Sequence, residues 1–243
     1  MKKAPAIAVL YHIFYEDSYD LVCSELQSLQ FYHPLLLFNI CADTPGKKQM
    51  SEALKKTFPG CFIFFTSNKG KDIGAKLAMI QFFMRLQVSA DYFLLLHDKK
   101  SLQALKSTTW KNDLLKIIFP NNIPTVFQEF EEHEQCGIVA TKEYIIDEPI
   151  ENGKFTGINA SLLDSQMELY AVHPNSFEFV AGTMFWARAE PLLQFFRRFN
   201  PLEIRRQLED GNVLDNFSGT VTHSWERLLS WIITKDKFYI AGI

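Results

Sequence analysis

The chain has 243 residues, of which 47% are hydrophobic, and this is enough to build a substantial core. Its formal net charge of -3 provides no overall basic surface, so we expect no nucleic-acid partner. No apolar run approaches the roughly 20 residues that span a bilayer, and the N-terminal stretch is not typical of a signal peptide.

The four cysteines, Cys23, Cys41, Cys61 and Cys136, are widely spaced and form no CxxC pair of the kind that binds zinc. Three of them lie in or beside apolar runs, where buried reduced thiols are expected. This favours a reducing, cytoplasmic compartment. The chain also contains 22 phenylalanines, a high number for its length. Rings that face an interface or the membrane surface are therefore an alternative to a wholly buried set.

The first hundred residues alternate between apolar strand-like runs and amphipathic helical stretches. We predict strands at 6–13, 35–41, 61–67 and 92–97, and helices at 18–29, 47–58 and 73–86. Asp17 or Ser18 is positioned to cap the first helix. Repeated strand-helix units predict an α/β fold with a mostly parallel central sheet flanked by helices.

The second half has a looser pattern. Helices are predicted at 108–118, 126–133, 161–170, 191–199 and 221–234, and strands at 137–141, 177–187 and 238–241. Residues 142–176 show no sustained strand period and are predicted to be loop apart from the helix at 161–170. No internal repeat or linker is evident, so a single domain over 1–243 is the simplest interpretation.

A glycine-containing turn joins the third predicted strand to the following helix and contains Asn68, Gly70, Asp72 and Gly74. Glycines let the backbone approach a ligand closely, and a helix N-terminus favours negative charge. The turn lacks the Gly-Lys-Ser/Thr of a P-loop and the spacing of a dinucleotide-binding fingerprint. Asp72 is a candidate to bind a ribose or a base, and it is equally a candidate helix cap.

A charged cluster, His97, Asp98, Lys99 and Lys100, follows the apolar strand at 92–97. A parallel sheet delivers the groups just beyond its carboxyl edge to the ligand crevice. A carboxylate can hold a divalent metal and ammonium groups can neutralise phosphate, so the cluster predicts a nucleotide or diphosphate site. The competing interpretation is a solvated charged turn.

Small residues interrupt the aromatic strand predicted at 177–187. Gly182 and Thr183 would leave a gap in the packed surface, and such a gap is typical of close approach by a substrate or by another backbone. Trp186 beside this gap suits stacking on a sugar face. Ordinary core packing of a strand remains the alternative.

The last predicted helix contains His223, Glu226 and Arg227 near its start. His223 lies three residues before Glu226 and four before Arg227, so the three side chains are close on one helix face. A carboxylate held in this way can act as a general base. A solvated Glu-Arg pair on a surface helix is the alternative.

Taken together, these segments resemble the rhamnan synthesis F family (RgpF-like) of glycosyltransferases. The resemblance extends in family order over nearly the whole chain, and no single motif carries it. The matching positions are His12 with Tyr15, 68–74, 97–101 with Trp110, 179–188, Gly219, Thr220, His223, Glu226 and Arg227.

The resemblance implies a nucleotide-sugar-dependent hexosyltransferase with a single GT-A (Rossmann-like) domain. About residues 1–105 would bind the donor nucleotide and about 106–243 the acceptor. The implied sugar is rhamnose or another deoxyhexose, and the implied acceptor is a cell-surface polysaccharide or a lipid-linked glycan. The implied location is the cytoplasm, at the inner face of the cell membrane through peripheral association.

The resemblance also implies roles for individual residues. Glu226 would deprotonate the acceptor in an inverting transfer, with His223 and Arg227 orienting that base or contacting phosphate. The other implied residues are His12, Asn68, Gly70, Asp72, His97, Asp98, Lys99 and Lys100 for the donor, and Gly182, Thr183 and Trp186 for the acceptor.

The chain departs from the two-acid Asp-x-Asp pattern that such folds usually carry. Only Asp98 is acidic at this position, and Lys99 follows it. Asp98 would hold Mg²⁺ or Mn²⁺ weakly beside the substrate phosphates, or Lys99 and Lys100 would stabilise the diphosphate without a metal. Both alternatives stand at this point.

The missing second acid also supports another class of function, a non-catalytic sugar- or nucleotide-binding subunit of a polysaccharide assembly complex. A third alternative is a nucleotidyltransferase that makes the nucleotide sugar. It is weakened because the first strand is followed by no glycine-rich basic loop and instead contains Tyr11 and His12, with Tyr15 beyond it.

Overall fold

A computed structural model describes residues 4–98, 113–215 and 218–243. The strands are β1 (Ile7–Ile13), β2 (Leu35–Cys41), β3 (Phe62–Thr66), β4 (Tyr92–His97), β5 (Cys136–Ala140), β6 (Ile145–Asp147), β7 (Ile150–Glu151), β8 (Lys154–Phe155), β9 (Glu178–Val180), β10 (Phe185–Arg188) and β11 (Tyr239–Gly242). The α-helices are α1 (Tyr19–Gln27), α2 (Lys47–Thr57), α3 (Lys71–Leu86), α4 (Ile123–Glu132), α5 (Ala160–Tyr170), α6 (Ala189–Arg198), α7 (Pro201–Gln207) and α8 (Val221–Thr234). Short 3₁₀ helices lie at Gln30–Tyr32, Leu115–Ile118 and Lys142–Tyr144.

The central sheet has seven strands in the order β11, β5, β10, β4, β1, β2, β3. Its neighbouring strands pair in parallel except at β10, which is antiparallel to both β4 and β5. The predicted α/β fold with a mostly parallel sheet flanked by helices is therefore confirmed. Because β10 runs in the opposite direction, its first residue Phe185 pairs with Leu95 near the end of β4. The turn before β10 consequently lies at the same edge as the end of β4.

The central strands of the sheet are buried on both faces, which explains why β1 and β4 are nearly continuous apolar runs. Successive side chains of a strand point to opposite faces. Leu10 and Leu95 pack with α3, α6 and α8, whereas Val9 and Leu94 belong to the second core with α1, α2 and α4.

The predicted boundaries in the first hundred residues agree with the structure to within about two residues. Ser18 occupies the N-cap position of α1 but makes no side-chain capping hydrogen bond. Its hydroxyl instead donates to Asp98 Oδ2 at 2.5 Å. The Ser18 side chain therefore does not cap α1; it contacts Asp98, the residue that follows β4.

In the second half the structure differs from the predicted elements in four places. The single strand predicted at 177–187 is two strands, because β9 pairs with β6 in a small separate sheet while β10 lies in the central sheet. The region 142–176 contains the short strands β6, β7 and β8, and α7 was not predicted. Of the helix predicted at 108–118, residues 108–112 lie outside the described residues, and Leu115–Ile118 form a 3₁₀ helix.

Gly70 is the N-cap of α3 and has a left-handed φ of 71°. A Cβ placed there would lie 2.2 Å from Leu208 Cδ1. Replacing Gly70 with Ala is therefore expected to lower the free energy of unfolding by roughly 1–3 kcal/mol, through backbone strain and overpacking together. Urea unfolding measures this change.

Gly60 provides the matched control for that substitution. It also has a left-handed φ, of 87°, but a Cβ there meets nothing within 4 Å. Gly60→Ala should lower the free energy of unfolding through backbone strain alone. An equal loss of stability in Gly60→Ala and Gly70→Ala would therefore contradict the close packing of Gly70 against Leu208.

No helix among the described residues has the length and apolar character needed to cross a membrane. All four cysteines are free thiols, and Cys41 and Cys136 are buried.

Candidate functional site

A cavity of about 360 Å³ opens at the carboxyl edge of β1 and β4. This volume lies in the range of small-molecule sites, and the edge is where parallel sheets bind ligands. Its walls come from the segment after β1, the start of α3, the end of β4, the turn before β10 and the start of α8. The lining residues are His12, Phe14, Tyr15, Asn68, Lys71, Asp72, Ile73, His97, Asp98, Gly182, Thr183, Asn212, Leu214, Thr222, His223 and Glu226.

The cavity unites most of the residues predicted from the sequence. Gly70 and Arg227 are adjacent to lining residues without lining the cavity themselves. Lys99, Lys100 and Trp110 lie outside the described residues. The predicted residues that do line the cavity are His12, Asn68, Asp72, His97, Asp98, Gly182, Thr183, His223 and Glu226.

Asp98 is buried and holds the segment that follows β1. Its Oδ1 accepts from the backbone N–H of Phe14 at 2.8 Å, and its Oδ2 accepts from the N–H of Tyr15 at 2.8 Å. The Ser18 hydroxyl also donates to Oδ2. Three donors from one loop thus converge on this carboxylate, and they compete with any metal for its lone pairs.

His12 lies beside Asp98 at the end of β1 and is 3% exposed. Its Nδ1 is 2.9 Å from the side-chain oxygen of Asn39. Burial lowers the pKa of the His12 imidazole, although the Asp98 carboxylate opposes this shift. We infer a neutral ring at pH 7.

Asp72 is at the second position of α3, so the alternative that it caps the helix is wrong. Its Oδ2 accepts from Lys76 Nζ at 2.7 Å and from the Thr183 hydroxyl at 2.6 Å. Burial acts to raise the pKa of Asp72, but the charges of Lys76 and His97 and the donated hydrogen bonds hold it well below its usual value. Asp72 is therefore an anion with protein partners.

Lys76 is fully buried beneath the cavity floor. Besides Asp72, its ammonium contacts His97 Nδ1 at 3.2 Å and donates to the Thr183 hydroxyl. Thr183 has a φ of 54°, which a β-branched residue rarely adopts. Such strain persists only where the surroundings enforce it, and here the Lys76 and Asp72 contacts do so.

Glu226 faces the cavity from the first turns of α8. Its Oε1 accepts from the Gly182 N–H at 2.7 Å, and its Oε2 accepts from Arg227 at 3.0 Å. Arg227 is held in turn by Glu148 at 2.8 Å and lies over the ring of Phe179. The Glu226 carboxylate is thus fixed in place while 21% of its side chain stays exposed.

His223 lies one turn before Glu226 on α8. Its Nδ1 is 2.7 Å from Asp215 Oδ1 and 2.6 Å from the Thr220 hydroxyl. Its Nε2 is 3.5 Å from the ammonium of Lys71 at the start of α3. The imidazole therefore bridges a carboxylate behind it and a cation across the cavity.

Glu209 connects the two helix ends that form this wall. Its carboxylate accepts from the N–H groups of Val221 and Thr222 at 2.7 and 2.9 Å, at the start of α8. Its backbone oxygen accepts from the N–H of Gly70 at 2.7 Å, at the start of α3. One residue thus contacts the N-termini of both helices.

The described donor set does not fit a divalent metal. Mg²⁺ and Mn²⁺ need several free oxygen ligands, and groups of three or more His, Cys, Asp or Glu in ligating positions are absent from the described part of the chain. The carboxylates that line the cavity, Asp72, Asp98 and Glu226, each accept at least two hydrogen bonds from the protein. The expectation that Asp98 holds a metal is therefore not supported by its surroundings.

The prediction that Trp186 stacks on a sugar is wrong. Its side chain is fully buried on the opposite side of the central sheet from α8, and its ring packs edge-on against Phe127. The indole N–H donates to the Ile117 carbonyl at 3.0 Å. The alternative of core packing is the correct one for this residue.

Sequence reasoning missed several residues of the site. Lys71 lies within the turn that was singled out, and Lys76 is four residues after Asp72, a spacing that predicts an ion pair on a helix. Asp215 precedes its partner by eight residues in a stretch without periodicity, so no local pattern indicates it.

Two solved structures are similar to the chain over most of its length, and both are glycosyltransferases. One is the mannosyltransferase PcManGT from Pyrobaculum calidifontis, in complex with GDP-Man and Mn²⁺, with 11% identity, a TM-score of 0.42 and coverage of 100% of this chain and 55% of that one. The other is mouse xyloside xylosyltransferase 1 in its apo form, with 10% identity, a TM-score of 0.38 and coverage of 97% and 85%.

Among curated proteins, the chain is 25% identical over 236 residues to the uncharacterized protein WxcX of two strains of Xanthomonas campestris pv. campestris. The match covers 93% of this chain and 32% of each relative, so the chain spans about a third of their length. The family model described as rhamnan synthesis protein F matches residues 1–238. With this match over nearly its whole length, the chain belongs to the rhamnan synthesis protein F family.

Proposed function

We propose that the chain is a nucleotide-sugar-dependent glycosyltransferase of the GT-A type that acts in the synthesis of a cell-envelope polysaccharide. The observation that carries this proposal is that one cavity at the carboxyl edge of the sheet joins the 68–74 turn, the end of β4 and the Glu226 carboxylate. Membership of a rhamnan synthesis family favours rhamnose or another deoxyhexose as the sugar. The acceptor is a polysaccharide or lipid-linked glycan, met at the cytoplasmic face of the membrane.

In this proposal, the two halves of the chain bind different substrates. The half before about residue 105 provides Asn68 and Asp72 for the donor nucleoside, with His12 and His97 beside the phosphates. The half after it provides the Gly182–Thr183 turn and Glu226 for the acceptor. The two halves meet where Glu226 accepts from Gly182 and where Thr183 donates to Asp72.

The reaction we propose is a direct displacement with inversion. The Glu226 carboxylate takes the proton of an acceptor hydroxyl while that oxygen forms a bond to the anomeric carbon. The bond between the anomeric carbon and the phosphate oxygen breaks, and its electron pair leaves with the nucleoside diphosphate. Arg227 and the Gly182 N–H hold the carboxylate in place for this transfer.

A donor panel tests this function. The chain is incubated with dTDP-, UDP- and GDP-linked sugars, with and without a glycan acceptor, and the released nucleoside diphosphate is measured. We expect release from one donor class at several times the rate of the buffer blank, because the cavity positions an attacking group against the donor.

The second candidate is a non-catalytic binding subunit of a polysaccharide assembly complex. It is favoured by the hydrogen bonds that already engage the carboxylates of the cavity. Saturable binding of a nucleotide sugar without release of the diphosphate, under all conditions of the panel, would select this candidate and contradict catalysis.

A further inference from the structure

Two nitrogen-bearing side chains converge across the cavity from the starts of two helices. Lys71 is the first residue of α3 and His223 lies in the first turn of α8, and their Nζ and Nε2 atoms are 3.5 Å apart. Both line the cavity. Helix N-termini carry partial positive charge, so the start of α3 adds to the charge of Lys71, whereas the Glu209 carboxylate already accepts from two N–H groups at the start of α8.

The acidic groups around the cavity have partners of their own. Asp72 pairs with Lys76, Glu226 pairs with Arg227, and Asp98 accepts from backbone N–H groups. Within the described ranges 4–98, 113–215 and 218–243, the Lys71 ammonium has no carboxylate partner and its recorded contact is the His223 ring. The charge of Lys71 is therefore left to act on a ligand.

We infer that Lys71 and His223 together bind the diphosphate of the nucleotide-sugar donor without a divalent metal. This inference rests on the proposed function and deepens it by assigning the phosphate contacts. The inference follows from the cavity carboxylates, which do not fit a divalent metal. Without a cation, the diphosphate needs N–H groups as its partners.

Asp215 is the positioning residue of this pair. Its carboxylate lies 2.7 Å from His223 Nδ1, on the side of the ring away from Lys71. Asp215 and the Thr220 hydroxyl thus hold the ring so that Nε2 faces the cavity beside the Lys71 ammonium, where both nitrogens are placed to contact a phosphate oxygen.

The test measures binding of inorganic pyrophosphate to the full chain by isothermal titration calorimetry in excess EDTA. We expect wild-type protein to bind, and Lys71→Gln and His223→Gln each to weaken binding roughly ten- to a hundredfold, the value of a hydrogen bond between charged groups. Lys71→Arg should retain most of the affinity because it keeps the charge. Asp215→Asn should weaken binding less than His223→Gln does, because the imidazole remains.

Lys55→Gln is the matched control, since it removes one positive charge from the exposed surface of α2. It should bind like wild type. Circular dichroism of each variant checks that the fold is kept. Binding that requires added Mg²⁺ or Mn²⁺, an absence of binding, or an equal loss in Lys55→Gln would overturn the inference.

The donor panel separates this inference from the proposed function. Diphosphate release that persists in Lys71→Gln with an unchanged KM would refute the phosphate contact and leave the transferase intact. Pyrophosphate binding with the expected variant pattern, but no release from any donor, would support the contact and select the binding subunit.

Discussion

Glu226→Gln is expected to lower the turnover number for sugar transfer by about a hundred- to ten-thousand-fold, the usual contribution of a positioned general base. The amide keeps the shape of the carboxylate but cannot take a proton from the acceptor. The side chain is already fixed by Gly182 and Arg227, so binding of the nucleotide sugar should survive. Steady-state release of the nucleoside diphosphate with saturating acceptor measures the loss.

Glu168→Gln is the control for this variant, because Glu168 is an exposed residue of α5 outside the cavity. It should retain wild-type turnover. If Glu226→Gln also retained it while donor and acceptor bound normally, Glu226 would have no role in proton transfer and another group of the cavity would be the base.

Asp72→Asn is expected to lower the free energy of unfolding by about 3 kcal/mol, because it leaves a buried ammonium without its counter-ion. Lys76 is completely buried and pairs with Asp72 at 2.7 Å. Burial lowers the pKa of Lys76 even though the Asp72 carboxylate opposes this, so the charged form depends on its partner. Urea unfolding at pH 7 measures the effect.

Two comparisons isolate the pair. The double variant Asp72→Asn with Lys76→Met removes both charges and should recover much of the lost stability. Asp210→Asn breaks the surface ion pair with Lys69, in which the Asp210 side chain is 82% exposed. This change should lower the free energy of unfolding by less than about 1 kcal/mol. A double variant no more stable than Asp72→Asn alone would contradict the buried charge as the cause.

The same pair gives the stability a pH dependence. The pKa of Asp72 in the folded chain is lower than the value of about 3.9 expected in the unfolded chain. The stabilisation that the Asp72 carboxylate gives the folded chain is therefore present above about pH 4, and it is lost as the pH falls toward the pKa of Asp72 in the folded chain. The stability difference between wild type and Asp72→Asn should shrink as the pH is lowered from 6 to 3.

The sequence predicts the first half of the fold well because each element there carries its own signal. β1 and β4 are short apolar runs between polar turns, and α3 follows its strand directly, so local periodicity is sufficient. The carboxyl-edge rule then places His97 and the 68–74 turn at one site without knowledge of the contacts. Both line the observed cavity.

The wrong predictions arise where tertiary contacts override the local pattern. Residues 177–187 are mostly apolar, but the Ser230 hydroxyl accepts the Val180 N–H, and Thr183 turns in a left-handed conformation toward Lys76. Strand periodicity contains no information about that turn. Trp186 is buried on the opposite side of the sheet, whereas the sequence pattern left a sugar contact and core packing both open.

Glu209 links the two walls of the cavity that begin at α3 and α8. Its backbone oxygen binds the start of α3 and its carboxylate binds the start of α8, so one residue holds together the two helix starts that carry Lys71 and His223. Changes in length at 211–214 can alter the rim, which includes Asn212 and Leu214, while the two helix starts keep their spacing. Among related chains, the residues of the rim would then vary with the sugar nucleotide that each chain binds. The proposed contact to the diphosphate, which all such nucleotide sugars share, would stay the same.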